Sequence, residues 1–384
     1  MPDVQAVLAA NQTLSEEVLS PHADQVDQSR QFPRENLTAL GKAGVLGLLV
    51  PLEFGGAGAT LTEMSAVLGT QSQHCASTAM VTLMHFCSTV VIGSKGNDAL
   101  KSRVLPAVAS GLHLSTLAFS EAGSGGHFYA PVSEVRDNAD GKGKYLSASK
   151  SFVTSAGEAD SYIVSARKAG ATGPTDVNLY LVPKDTNGFS PRGHFEGLGL
   201  AGNASAPMLL QDVMIHDDTR LGDEGSGFQT MLEIVLPHFQ IGVASISLGI
   251  ATAAFKAITA RVGARKYEHA GGAALASIPR VQYLTAEMAI ELYSARAYLN
   301  ETIRQALVGD PTAMVNVLGV KAKAAEACLG IVSRAMTLGG GWAFGRRGGL
   351  ERLFRDAQAA AVMAPSSDVL KDFVGKACLG LPLF

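Results

Sequence analysis

Charge is scarce in this chain of 384 residues: 17% of side chains are Asp, Glu, Lys or Arg, against 47% hydrophobic. So little solvated surface suits a protein whose apolar faces meet sister subunits, and a homodimer or homotetramer is expected. The 31 basic and 34 acidic side chains leave a net charge of −3 and form no basic tract, which excludes nucleic acid as a partner. Four scattered cysteines, Cys75, Cys87, Cys328 and Cys378, have no CxxC spacing, which excludes a disulfide scaffold and fits a reduced, cytoplasmic compartment. The most membrane-like stretch, Ala79 to Ile92, is short and interrupted by His85; it reads as a buried helix, and no membrane partner is expected. Met1 to Gln12 has no basic flank leading into an apolar run, so neither export nor a transit peptide is expected. His85, His113, His127, His194, His216, His238 and His269 lack paired spacing, so no metal is expected. GxSxG, a cysteine-nucleophile signature and internal repeats are also missing.

What is present is a change of texture along the chain. Residues 1–111 read as helices: one ends near Gly44, a Pro/Gly-rich loop follows in GLLVPLEFGGAG (47–58), and helices resume from Leu61. Between 112 and 226, segments such as LHLSTLAF, SYIVSAR and VNLYLVP alternate with Gly, Asn and Asp clusters, which predicts a small antiparallel β domain. From 227 to 384 helices return as a four-helix-bundle-like domain. Leu284, Met288, Leu292, Ala295, Leu299 and Ile303 keep the helical period, whereas Ile241 to Ile258 is small or apolar on nearly every face and so buried among neighbours. The fold class is therefore α+β, with a ligand site expected in the cleft where the three pieces meet.

Four segments carry groups suited to chemistry, and each has a plainer reading. Ser120-Glu121-Ala122-Gly123-Ser124-Gly125-Gly126 offers backbone N–H groups and hydroxyls to a phosphate or polar ring edge, or is a connecting turn. Phe152 and Thr154 lie two apart, which predicts one strand face with an aromatic platform beside a hydroxyl, or an ordinary core phenylalanine. Arg265 could meet a diphosphate or end a helix in solvent. Gly339 to Gly341 permit close backbone approach or terminate a helix.

Taken in order, these segments resemble the acyl-CoA dehydrogenase superfamily over nearly the whole chain. The loop 47–58 resembles its early Pro-x-x-x-Gly-Gly loop, LAFSEAGSGG (117–126) its Thr-Glu-Pro-x-Ala-Gly-Ser-Asp signature, and LSASKSFVTSAGEADSYIVSAR (146–167) its Gly-x-Lys-x-Phe/Trp-Ile-Thr-Asn-Gly segment. LGGGWAF and GLERLFRDAQA (338–359) are similar to its Gly-Gly-x-Gly-Tyr/Phe and Leu-x-Arg-x-x-Arg-Asp segments. The resemblance implies an N-terminal helical domain, a middle β domain, a C-terminal helical bundle and FAD as cofactor. It places Phe119 and Ser120 by the flavin's pyrimidine side, Phe152 on the isoalloxazine ring and Thr154 near N5 or O4. Arg265 would meet the diphosphate across a subunit boundary, Gly339 and Gly340 the adenine side, and Ser366 and Asp368 the cofactor from the last helices.

Two departures bear on activity. Where the family carries a Tyr-Glu-Gly-Thr stretch with its catalytic base, this chain has Met363-Ala364-Pro365-Ser366. The alternative base position of a second branch holds Phe239. Pro237 and Gln240 replace the Asp and Arg that the family offers to a CoA thioester. The resemblance then implies an oxidase or monooxygenase acting on a small acyl-CoA-like substrate with dioxygen. Two other readings stay open: dehydrogenation with a relocated base, for which Glu121, Glu233, His238 and Asp368 are candidates, or a flavin-binding subunit without turnover.

Overall fold

The computed structural model describes residues 3–137 and 143–382. The N-terminal helices begin with α1 (Val4–Leu14), which passes through a π-helical turn into α2 (Ser20–Ser29). α3 (Arg34–Lys42) stops just before Gly44, whose φ of +77° starts the Pro/Gly-rich loop. α4 (Leu61–His74) is fixed at its start by a capping box, Thr60 receiving the Thr62 N–H and Glu63 receiving the Thr60 N–H at 2.8 Å. α5 (Ala76–Lys95) is buried almost throughout, and α6 (Asp98–Ala109) starts at an Asn97 cap.

Seven strands follow: β1 (Ser115–Ala118), β2 (Val135–Asp137), β3 (Lys144–Val153), β4 (Ser161–Arg167), β5 (Val177–Pro183), β6 (Phe189–Pro191) and β7 (Ala206–Ile215). They form two sheets, ordered β1-β4-β5 and β2-β3-β7-β6. The expectation of a purely antiparallel domain is corrected at one pair, since β1 runs parallel to β4 with Ser115 opposite Ser161. The cause is topological: the chain leaves β1 for β2 and β3 in the other sheet and re-enters in the same direction, as a crossover does.

Helices return with α7 (Gly227–Thr230), which continues through a second π-helical turn into α8 (Leu236–Ala264). A short hairpin, β8 (Lys266–Tyr267) and β9 (Ala273–Ala274), leads to α9 (Pro279–Val308), α10 (Ala313–Gly339), α11 (Gly341–Phe344), α12 (Leu350–Val362) and α13 (Ser367–Cys378). In α9 the six apolar positions picked out by the helical period are all buried.

α8 is the axis of the molecule, packing on α4 and α5 on one side and on α9, α10 and α12 on the other. Close packing there depends on glycine: a Cβ on Gly242 would lie 2.2 Å from Leu83, and one on Gly249 would lie 1.9 Å from the Ser72 hydroxyl. α5 and the helix Gly227–Ala264 are long and apolar enough to cross a membrane, but 83% and 78% of those stretches are buried inside the fold. Their hydrophobicity is thus accounted for by packing.

Candidate functional site

The ends of β1 and β3 bring four of the sequence-predicted cofactor residues together. Ser151 N–H donates to Ser120 C=O at 2.8 Å, and the Thr116 hydroxyl donates to Thr154 C=O at 3.0 Å. Phe119 is buried and stacks on Phe128 with ring centroids 6.4 Å apart. The aromatic series continues from Phe128 to Tyr129 and on to Phe228 of α7, which joins the β domain to the start of the C-terminal helices.

At Phe152 the structure corrects the shared strand face and the core reading, and leaves an outward aromatic surface. β3 bulges between Lys150 and Val153, and Phe152 itself sits at φ +49°, so the two-residue period fails and Phe152 and Thr154 do not share a strand face. The ring is not in the core either: it is 62% exposed and packs edge-on with Phe195, with centroids 5.1 Å apart. A non-glycine residue held in the left-handed region to turn an aromatic face outward is a strained arrangement of the kind found at ligand sites. Thr154 is buried, and its hydroxyl engages no other group among the described residues. An outward ring beside an unengaged hydroxyl and the Ser120 backbone is a donor set and surface that fit a flat heteroaromatic cofactor such as a flavin.

A second group of residues lies on the loop between α12 and α13. Ser366 caps α13, its hydroxyl accepting from Val369 N–H, and Asp368 is exposed in the first turn. Gly126, in the Ser/Gly loop after β1, faces this turn, since a Cβ there would lie 4.0 Å from Val369. Ala364 occupies the middle of the loop, and the carbonyls on either side of it accept from the buried Lys321 ammonium, Met363 at 2.7 Å and Pro365 at 2.5 Å.

Arg265, Gly339 and Gly340 are not brought to these residues. Arg265 is an exposed C-cap of α8 with its guanidinium over the Tyr267 ring at 5.4 Å. Gly339 is buried at the end of α10 beside Ile258 and Ala343, and Gly340 at φ +53° ends that helix. The eighteen residue steps of α10 from Lys321 to Gly339 span about 27 Å, and the twenty-six from Phe239 to Arg265 about 39 Å, at a rise of about 1.5 Å per step. Within one protomer the two sets occupy opposite ends of the bundle.

The candidate bases fare unequally. Ala364 has no proton acceptor, and Phe239 is a half-buried hydrocarbon packed against the core. Glu121 is committed elsewhere: its carboxylate is 2.6 Å from the Lys150 ammonium and receives the N–H groups of Val132 and Ser133 at 2.7 and 3.0 Å. Burial pushes its pKa up, but the Lys150 charge and these hydrogen bonds outweigh it and hold the carboxyl below the usual glutamate range. It is a structural ion pair between β3 and the loop after β1. Glu233 is exposed and bound to Gln229 at 2.8 Å. His238 differs: its Nδ1 lies 2.7 Å from the Ile234 carbonyl, so Nδ1 carries the proton and Nε2 keeps its lone pair, and desolvation lowers its pKa.

One residue escaped the sequence reading, and a second was named there without its surroundings. Lys321 is fully buried; its signal is a cation set directly between the apolar Val320 and Ala322 of α10. Gln240 is also fully buried, and neither polar atom of its amide has a partner. Its signal was the family arginine it replaces, which said nothing about what the amide meets. No cluster of three or more His, Cys, Asp or Glu suited to a metal occurs among the described residues.

Comparison with known proteins places this geometry. Family models for the N-terminal, middle and C-terminal domains of acyl-CoA dehydrogenase match residues 1–112, 116–213 and 225–379. The mitochondrial short-chain specific acyl-CoA dehydrogenase of Bos taurus is 30% identical over 92% of this chain and 85% of its own. A probable acyl-CoA dehydrogenase of Mycobacterium tuberculosis is 27% identical over 97% of this chain and 94% of its own. The structure of butyryl-CoA dehydrogenase from Megasphaera elsdenii superposes with a TM-score of 0.92 at 23% identity, covering 99% of both chains. With three family domains matched in order and a 30% identical relative along most of its length, the chain belongs to the acyl-CoA dehydrogenase family of FAD-dependent flavoenzymes.

Proposed function

We propose that this flavoenzyme oxidises a small acyl-CoA-like substrate without a carboxylate base and passes the electrons to dioxygen, as an oxidase or monooxygenase. The observation that carries the reading is that both base positions hold hydrocarbon, Ala364 and Phe239, while Glu121 is locked to Lys150. Removing an α-proton in step with hydride loss needs a base within hydrogen-bond reach, worth about 10²–10⁴-fold in rate. Bound FAD supplies the two-electron acceptor and, once reduced, the reductant for dioxygen.

The chain's own residues hold and orient. Phe152 gives the ring a stacking face, and Thr154 and Ser120 give polar edges. Phe119, Phe128 and Tyr129 keep water from one side. Arg265 and Gly340, at the far end of the bundle, reach the same cofactor when a second copy of the chain supplies them, so a shared site in a homodimer or homotetramer is part of the proposal. Pro237 and Gln240 leave the thioester without its usual charged contacts.

A second reading is favoured by His238, whose Nε2 lone pair has no hydrogen-bond partner among the described residues: α,β-dehydrogenation with a relocated base. Anaerobic mixing of the FAD-loaded protein with butyryl-CoA and its longer and branched homologues, followed by oxygen, separates the two. Oxygen-dependent product with little anaerobic desaturation supports the first. Rapid anaerobic bleaching with enoyl-CoA formation, lost in His238→Gln, supports the second. A wild type inert in both phases, with Ala364→Glu desaturating efficiently, would falsify both and leave a disabled dehydrogenase.

A further inference from the structure

Lys321 projects from α10 out of a stretch in which Val317, Leu318, Val320, Ala322 and Ala324 are all buried, and it is itself fully buried. No carboxylate pairs with it among the described residues. Its ionisation is displaced by burial alone, with no charged group of α8, α9, α12 or α13 contributing. The ammonium instead meets the carbonyls of Met363 and Pro365, at 2.7 and 2.5 Å, one on each side of Ala364. Met363 is the C-cap of α12, where carbonyls lack intrahelical partners and the helix dipole favours a cation. A buried cation is nonetheless an expensive way to pack this spot, which a methionine would fill without desolvating a charge.

We propose that Lys321 is the positioning residue of the loop Met363–Ser366, gripping the backbone around Ala364 and so setting where Ala364, the Ser366 cap and the first turn of α13 stand against flavin and substrate. This rests on the reading that the loop lines the reaction site. The grip depends on the proton. Burial brings the Lys321 pKa from 10.5 down to about 7. Below that pH the charged group donates strongly to both carbonyls. Above it a neutral amine keeps only weaker donors, so the loop loosens as pH rises through 7.

Hydrogen–deuterium exchange of residues 363–370 in the FAD-loaded protein, corrected for intrinsic exchange and read from pH 6 to 8.5, tests the grip directly. Visible circular dichroism of the flavin over the same range tests its consequence. Wild type is expected to lose protection at least tenfold with a midpoint near 7, and the flavin signal to follow. Lys321→Met should show neither transition, and Lys321→Arg, charged throughout, should keep the loop protected at every pH. Protection that is flat with pH in wild type, or a transition that persists in Lys321→Arg, overturns the proposal whether or not the methionine variant folds. A loop that titrates beneath an indifferent flavin signal overturns the positioning role by removing the loop from the cofactor, while leaving the dioxygen reading to be judged by its own turnover experiment.

Discussion

Two buried titratable residues should shape the response of this protein to acid, in opposite senses. His85 of α5 has Nε2 3.1 Å from the Leu46 carbonyl, and its Nδ1 accepts Ser115 N–H at 3.1 Å, an arrangement that fits only the neutral ring. Burial lowers its pKa from 6.5 to about 4. The unfolded chain therefore takes up a proton first, and the stability contributed by His85 is present above pH 6.5 and lost as pH falls through 4. Asp356 of α12 accepts Leu200 N–H at 2.7 Å, and burial raises its pKa from 3.8 to about 6. Its contribution is present below pH 3.8 and lost as pH rises through 6. The two offset between pH 4 and 6. In Asp356→Asn, which keeps an acceptor for Leu200, urea melts should match wild type near pH 4 and show a gain of about 1–3 kcal/mol at pH 7.5, on the scale of about 1.4 kcal/mol per pKa unit. An equal gain at both pH values would show that Asp356 ionisation is not the cause. Neither group could be read from the sequence, because each depends on neighbours more than 25 residues away that the fold supplies.

At the scale of the element, α8 illustrates what a sequence conveys and where it stops. Its small residues announced a helix buried on all sides, and that held because burial is a property of composition and period. The bulge at Phe152 was invisible for the opposite reason: nothing in the letters SKSFVTS marks an extra residue, and only the pairing of β3 with β7 reveals the register shift. The identity of α8's neighbours was likewise hidden, although its glycines mark where they come close. Gly249→Ala should cost about 1–3 kcal/mol, since its Cβ would lie 1.9 Å from the Ser72 hydroxyl and 2.6 Å from the Gly69 carbonyl. Gly263→Ala, fourteen residues along the same helix with nothing within 4 Å, should stabilise by about 0.4–1 kcal/mol through a less flexible unfolded chain. Chemical denaturation of the two variants side by side checks the contrast. Equal effects would show that helix propensity, not packing, governs these sites.

For the whole molecule, family order and the helical, β, helical layout were legible, because five local patterns survive in sequence and each implies its own element. The residues that the resemblance assigns to a cofactor form one series in sequence and two separate sets in the structure, because a sequence carries no distance between Ser366 and Arg265. The proposed shared site in an oligomer would reconcile them, and the surface offers exposed aromatic and apolar side chains to such a contact. Tyr283, Ile290 and Tyr293 of α9 are 57–67% exposed, and Phe344, the last residue of α11, is 82% exposed. Light scattering of the FAD-loaded protein is expected to give a dimer or tetramer. Phe344→Asp is expected to weaken FAD retention if that face meets the partner's half of the site. A flavin-saturated monomer would rule out the shared-site arrangement.

The position of α8 also bears on how the chain reaches this state. α4 and α5 pack on a helix that begins more than 140 residues after α5 ends, and β1 waits for β4 across a separation of 46 residues. Contacts so distant along the chain require loop closure before they return any stabilisation, which slows folding and couples remote segments. The N-terminal helical region thus emerges from synthesis with its principal apolar faces uncovered. A fragment of residues 1–112 made alone should lack a cooperative thermal transition and bind hydrophobic dyes. The stretches that look separable in sequence are thus expected to fold together, the N-terminal helices gaining their core only when α8 packs on α4 and α5.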